Sequence, residues 1–187
     1  MRDSEELMVL VDADDRIIGT GEKLETHRKG ALHRAFSVIV WNSADHILLQ
    51  KRATRKYHSG GLWTNACCGH PRPAEDIAAA ARRRLKEEMG FTCKLSPLGT
   101  ITYRAELEGG MTEHEFVHVF RGLYDGKVAP DPNEAEAYQW VSLSNVRADI
   151  AAMPERYSAW FREYIAAQLA ARVTVNPPLR NYGTLYR

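Results

Sequence analysis

The chain has 187 residues and a formal net charge of +1 with a pI near 7.8, long enough for one domain with a sizeable core. Hydrophobic residues at 44% and charged residues at 26% are the balance of a soluble globular protein, and the near-neutral charge speaks against a nucleic-acid or membrane partner, which calls for a one-signed surface. The opening "MRDSEELMVLVD" lacks the apolar core of a signal peptide, no apolar run nears the roughly 18 residues of a bilayer span, and three cysteines, two of them adjacent, make no disulfide framework, so a reducing cytoplasm is expected.

In chain order, runs rich in β-branched residues predict strands at 7–11, 36–41 and 47–49, the last two flanking the turn-rich "NSAD" as a hairpin. Residues 62–68 read as a short strand or bulged turn. The clearest helix is 74–89, where Ile77, Ala81, Leu85 and Met89 recur at helical spacing and Gly90 stops it. Segments 94–106 and 113–123 form an antiparallel pair joined by "LEGGMT", and 138–141 is a short strand. A second helix starts at Pro154, a favoured first-turn residue, and runs to about Arg172. There is no internal repeat or linker, so 1–187 is one domain with its core at about 20–172 and a loose tail at 173–187. Strands outnumber helices, which predicts an α+β sheet or sandwich.

The chemistry concentrates in three places. The first is "TNACCGHPR", residues 64–72. Cys68 and His70 are two apart and share a face in extended chain, while Cys67 points the other way as a small buried residue. A zinc finger fails for want of a second cysteine pair, since Cys93 stands alone. The second is "THRKGALHRAF", with His27 and His33, and the third is "TEHEFVHVF". On a strand, Glu113 and Glu115 point to one face and His114 to the other. Two carboxylates on a core-facing side are costly unless paired, protonated or metal-bound. With His27, His33 and His70 they make a five-ligand set for Mg²⁺, Mn²⁺ or Zn²⁺. His46, His58, His114 and His118 read as structural or surface residues.

From Gly69 the chain reads "GHPRPAEDIAAAARRRLKEEMGF", which resembles the Nudix box: Gly69, Glu75, Arg83, Leu85, Glu87, Glu88, Gly90 and Phe91 fall on its marks. The glutamate expected after Arg83 is instead Arg84. In the hydrolases of that family the box glutamates hold divalent metals against a diphosphate. Arg84 removes one hard-metal ligand and adds a fixed cation able to grip phosphate oxygens in pairs, and it shares a helix face with Glu88, four residues on.

Together with "HRKGALHRAFSV", "GLWTNACCGHP", "YRAELEGGMTEHE", "YQWVSL" and "YSAW", this altered box resembles the type I isopentenyl-diphosphate isomerases, over roughly residues 20–160. The resemblance implies a Nudix-like mixed β-sheet sandwich flanked by helices. It implies a 1,3 proton shift that moves the double bond of a five-carbon diphosphate through a tertiary carbocation. By similarity, Cys68 and Glu115 are the two proton-transfer groups, with Tyr103 hydrogen-bonding near the glutamate and Trp160 laying its π-face against the cation. His27, His33, His70, Glu113 and Glu115 would hold one divalent metal. Lys23, Arg52, Lys56 and Arg84 would grip the diphosphate, and Glu88 a second Mg²⁺ arriving with it. Partners are then the isoprenoid diphosphate alone, on a monomer. The rival readings are a Nudix hydrolase of a small organic diphosphate and a module that binds metal and isoprenoid diphosphate without turnover.

Overall fold

The structure is a computed structural model that describes residues 7–56 and 58–173; the tail beyond Val173 lies outside the described residues. Among the described residues, nine strands form one mixed sheet: β1 (Leu7–Val11), β2 (Ile17–Glu22), β3 (His33–Trp41), β4 (His46–Arg52), β5 (Trp63–Asn65), β6 (Cys67–Gly69), β7 (Leu95–Glu106), β8 (Thr112–Leu123) and β9 (Ala135–Ser142). The α-helices of the described residues are α1 (Lys23–Lys29), α2 (Ile77–Met89), α3 (Leu143–Ala152) and α4 (Ala159–Val173).

β3 is the hub. It runs parallel to β8 over its full length, from His33 opposite Glu115 to Trp41 opposite Leu123, and antiparallel to β1, β4 and β6. Its alternation divides the core in two. Ala35, Ile39 and Trp41 pack with Val146 of α3 and with Phe161, Tyr164 and Ile165 of α4. Phe36, Val38 and Val40 pack with Ala81, Leu85 and Met89 of α2. Helices therefore cover both faces, and the expected α+β sandwich stands.

Several local expectations change. The "NSAD" turn joins β3 to β4, but the strands pair only at Trp41 and Ile47 before diverging, because β4 turns to β5 and β9. Residues 62–68 split into β5 and β6, which join β4 and β3 respectively. α2 starts at Ile77, not 74: Ala74 has a left-handed φ of 64°, and Asp76 caps the helix by accepting from Ala79 N at 2.8 Å. Gly90 stops it as expected, at φ 78°, where a Cβ would lie 2.3 Å from Ala129 O. Pro154 opens only a 3₁₀ turn, Pro154–Arg156, since Tyr157 is extended; α4 begins at Ala159. α1, β2 and α3 were not anticipated.

Candidate active site

The strand register sets the site. His33 of β3, Glu115 of β8 and Tyr103 of β7 stand in one row across three strands, and Glu113 follows two residues before Glu115 on the same face. β6 pairs with β3 so that Cys68 lies opposite Ser37 and Cys67 opposite Val38, which sends the two cysteines to opposite faces. The chain then leaves the sheet at Gly69, where a Cβ would press on Phe36 at 3.1 Å, and presents His70. α1 brings His27. Its C-terminal Gly30 takes a left-handed φ of 59°, and Gly30 O accepts from His114 Nδ1 at 2.9 Å. His114 thus anchors the helix from the face opposite Glu113, a structural role as expected.

Lys23, Arg52, Lys56, Cys68, His70, Arg84, Glu88, Tyr103, Glu113, Glu115 and Trp160 all line one cleft of about 520 Å³. His27 and His33 are fully buried against its two carboxylates. The anticipated site residues are thus brought together.

The donor set fits a divalent metal. One ligand atom each from His27, His33 and His70 lies within 4.8 Å of the others, and so do those of His33, Glu113 and Glu115. His27 Nδ1 meets Lys23 O at 2.7 Å and His33 Nδ1 meets Ala31 O at 2.9 Å. A carbonyl only accepts, so each Nδ1 carries a proton and each Nε2 is the nitrogen turned inward, available as a metal ligand once deprotonated. His33 Nε2 and Glu113 Oε2 are buried with no hydrogen bond, a costly state that a cation would relieve. His27 Nε2 lies 3.4 Å from Glu113 Oε2, and His70 Nε2 is 2.8 Å from Glu115 Oε1.

Electrostatics separate the groups. Burial would raise Glu115, but the His33 and His70 imidazoles beside it outweigh burial and hold the carboxyl well below its usual range. Tyr103 donates to Glu115 Oε2 at 2.7 Å, and burial beside that charge pushes its hydroxyl well up, so it remains a donor. Burial pushes the Cys68 thiol up to about 12.

The other end of the cleft is cationic and braced. Arg84 donates to Glu87 at 2.8 Å, to Glu88 at 2.8 Å and to Glu134 at 3.2 Å, and Lys56 also pairs with Glu134. Glu88, 4% exposed, accepts from Gln50 at 2.9 Å. The Arg52 guanidinium sits 5.1 Å from the Trp160 ring centroid.

One residue read as structural or surface belongs here. His58 Nε2 is 3.4 Å from Glu113 Oε1, and its ring stands edge-on to Trp160 at 5.6 Å. Burial, with Arg52 and His27 nearby, pulls its pKa down to about 3, so it is a neutral imidazole. Its loop has no periodicity that could have placed it. The buried hydroxyl of Thr64 and amide of Asn65 lie behind Cys68 in the same "TNACCGHPR" stretch, where no spacing along the chain marks them.

The NUDIX domain family matches residues 31–164. A Burkholderia multivorans protein named isopentenyl-diphosphate Delta-isomerase is 52% identical over 157 residues, covering 84% of this chain and 89% of its own length. Isopentenyl-diphosphate Delta-isomerase 1 of Aromatoleum aromaticum is 50% identical over 168 residues, covering 90% and 95%. Among solved structures, DR0079 from Deinococcus radiodurans superposes with a TM-score of 0.73 at 18% identity, covering 87% of this chain and 98% of its own. The MutT protein from Methanosarcina mazei Go1 gives 0.63 at 21% identity, covering 76% and 96%. These two likenesses concern the fold alone.

Proposed function

Because the chain belongs to the isopentenyl-diphosphate Delta-isomerases of the NUDIX family, it interconverts isopentenyl and dimethylallyl diphosphate with metal assistance, and we propose the following division of labour in its cleft. Cys68 and Glu115 handle the two protons of the 1,3 shift: one is delivered to the terminal alkene carbon, the other is removed from the carbon next to the oxygen-bearing one. Tyr103 orients the Glu115 carboxylate through its 2.7 Å hydrogen bond. Trp160 offers its π-face to the tertiary cation; Arg52 already rests over that ring. Burial of the reacting groups keeps water from the cation.

His27, His33, His70, Glu113 and Glu115 hold a divalent metal, Mg²⁺, Mn²⁺ or Zn²⁺. When bound it supplies fixed positive charge that tunes the Glu115 carboxyl. Lys23, Arg52, Lys56 and Arg84 grip the diphosphate, and Glu88 takes the Mg²⁺ that accompanies it. The reading extends to one domain acting as a monomer in a reducing cytoplasm, in keeping with three free cysteines.

The observation that carries this reading is the convergence of three imidazoles and two carboxylates beside Cys68, in a cleft that Lys23, Arg52, Lys56 and Arg84 also line. A hydrolase needs box carboxylates available for metal, and here Arg84 hydrogen-bonds both Glu87 and Glu88. The test is Glu115→Gln, assayed for bound metal and for turnover of isopentenyl diphosphate. Loss of both is expected; full metal content with full rate would remove Glu115 from the site.

A further inference from the structure

Behind the cleft, Thr64 and Asn65 tie the proposed proton-transfer thiol to the proposed cation-facing indole. Both residues are buried to within 1% exposure. Trp160 Nε1 donates to Thr64 Oγ1 at 2.8 Å, and Ser158 Oγ donates to the same oxygen at 3.0 Å. Thr64 Oγ1 in turn donates to Asn65 Oδ1 at 3.1 Å. Two bonds accepted and one donated is the full capacity of a hydroxyl, so the direction of its proton is fixed.

Asn65 is fixed equally well. Its Nδ2 faces Cys67 O at 2.8 Å, Val38 O at 3.0 Å and Ser37 Oγ at 3.0 Å. Two of these are carbonyls that only accept, so the amide nitrogen must lie on that side and Oδ1 on the other. Oδ1 then takes two donors, Thr64 Oγ1 and Cys68 Sγ, the latter at 3.2 Å. Ser37 Oγ, the alternative acceptor for the thiol, is farther at 3.8 Å. The amide hangs on β3 and β6 backbone and does not swivel.

We propose that Thr64 and Asn65 are positioning residues for the isomerisation: the continuous bond path from Trp160 through Thr64 and Asn65 to Cys68 holds thiol and indole as one rigid pair across the reacting carbons. The inference rests on the proposed roles of Cys68 and Trp160. Two physical effects follow. The path sets where the sulfur sits, so that a turn about Cβ–Sγ is the only motion needed between the Asn65 oxygen and the substrate. It also polarises the bonds along its length: an indole whose N–H is donated has a more electron-rich ring, which strengthens its attraction for a cation. The docking of α4 serves the same end, since Ser158 N donates to Trp63 O at 3.0 Å and seats the helix start against β5.

The test reads the thiol directly. The Raman S–H stretch of Cys68 is isolated by subtracting the Cys68→Ala spectrum from that of the full-length wild type. The expected band lies at the lowered frequency of a hydrogen-bonded thiol; a band at the frequency of a non-bonded thiol overturns the proposal. In Thr64→Val the band shifts, the Trp160 indole N–H resonance moves, and kcat falls roughly 100-fold, the scale of a small misplacement at a reacting centre, with KM little changed. Thr64→Ser restores all three. A folded Thr64→Val with wild-type band and kcat overturns the proposal. Trp160→Phe gives an arm that does not depend on Thr64→Val folding: it removes the far donor of the path, and the Cys68 band is expected to shift although no hydrogen bond joins the two residues. An unmoved band there overturns the path. These spectra need no turnover. A wild type that shows the shifts but does not isomerise overturns the functional reading, and one that isomerises with unmoved bands overturns the positioning role alone.

Discussion

Arg84 and Glu88 stand one turn apart on α2, with Arg84 Nη2 donating to Glu88 Oε1 at 2.8 Å. At the one box position that departs from the family pattern, the chain replaces an expected carboxylate with a cation that pairs with its neighbour and faces the cleft. Burial disfavours that charge, but Glu88 and Glu134 outweigh it and keep the guanidinium firmly protonated.

Arg84→Ala would leave the Glu88 carboxylate with the Gln50 bond and without its cation. Stability is expected to fall by about 1–3 kcal/mol, and KM for the diphosphate to rise at least about tenfold, since hydrogen bonds to charged groups carry such energies. Metal content of the His/Glu cluster should not change. Urea unfolding, steady-state kinetics and metal analysis check the three parts.

Cys68→Ala is expected to lose turnover while retaining fold, metal and diphosphate binding. The thiol also sets a pH dependence. Its folded value of about 12 lies above its ordinary value of 9.0, so its contribution to stability is fully present below pH about 9 and is lost as pH rises towards 12. Urea midpoints of wild type and Cys68→Ala, compared at pH 8 and pH 10.5, should therefore draw together at the higher pH.

His58 touches a proposed ligand, Glu113, and the ring of Trp160. His58→Phe keeps an aromatic edge against the indole and removes the nitrogen facing Glu113. Metal affinity is expected to drop about tenfold or more, the scale for groups that orient metal ligands. Competition with a chelating dye measures it, with fluorescence of the tryptophans reporting whether the packing survives.

Asp15 binds Arg34 at 2.7 Å and His118 at 2.8 Å, clasping the β1–β2 turn to β3 and β8. Burial raises its pKa, but the His118 and Arg34 hydrogen bonds prevail and lower it below the ordinary 3.8. A depressed carboxyl contributes stability above its unfolded value and loses it as pH falls through the folded one. Asp15→Asn, which tolerates the left-handed φ of 64° at this position, should cost about 1–3 kcal/mol at pH 7. The difference from wild type should close below pH about 3.8, as read by urea unfolding across the acid range.

The sequence was most legible where pattern and chemistry coincide. Strands β7 and β8 show long alternation, and α2 repeats its apolar residues at helical spacing before a glycine stop. The His/Glu cluster was legible because imidazoles and carboxylates in such number have little other reason to gather, whereas the proton-transfer roles proposed for Cys68 and Glu115 came from the family resemblance. α1 was hidden because "KLETHRK" carries no apolar stripe and Glu22 gives it no side-chain cap; tertiary contacts from β8 hold it instead. α3 buries only Val146, so its capping Ser142 was the sole signal. Pro154 misled because a favoured first-turn residue began a 3₁₀ turn that extended Tyr157 ends. His58 and the Thr64–Asn65 bonds depend on where loops and strands meet in space, which no spacing along the chain encodes.

The most direct measurement follows isopentenyl diphosphate with the Mg²⁺-loaded protein in D₂O by proton and phosphorus NMR. Dimethylallyl diphosphate carrying deuterium, with no phosphate released, is the expected result. Released phosphate or isopentenyl monophosphate, or an unchanged spectrum from folded, metal-loaded protein, would contradict the account.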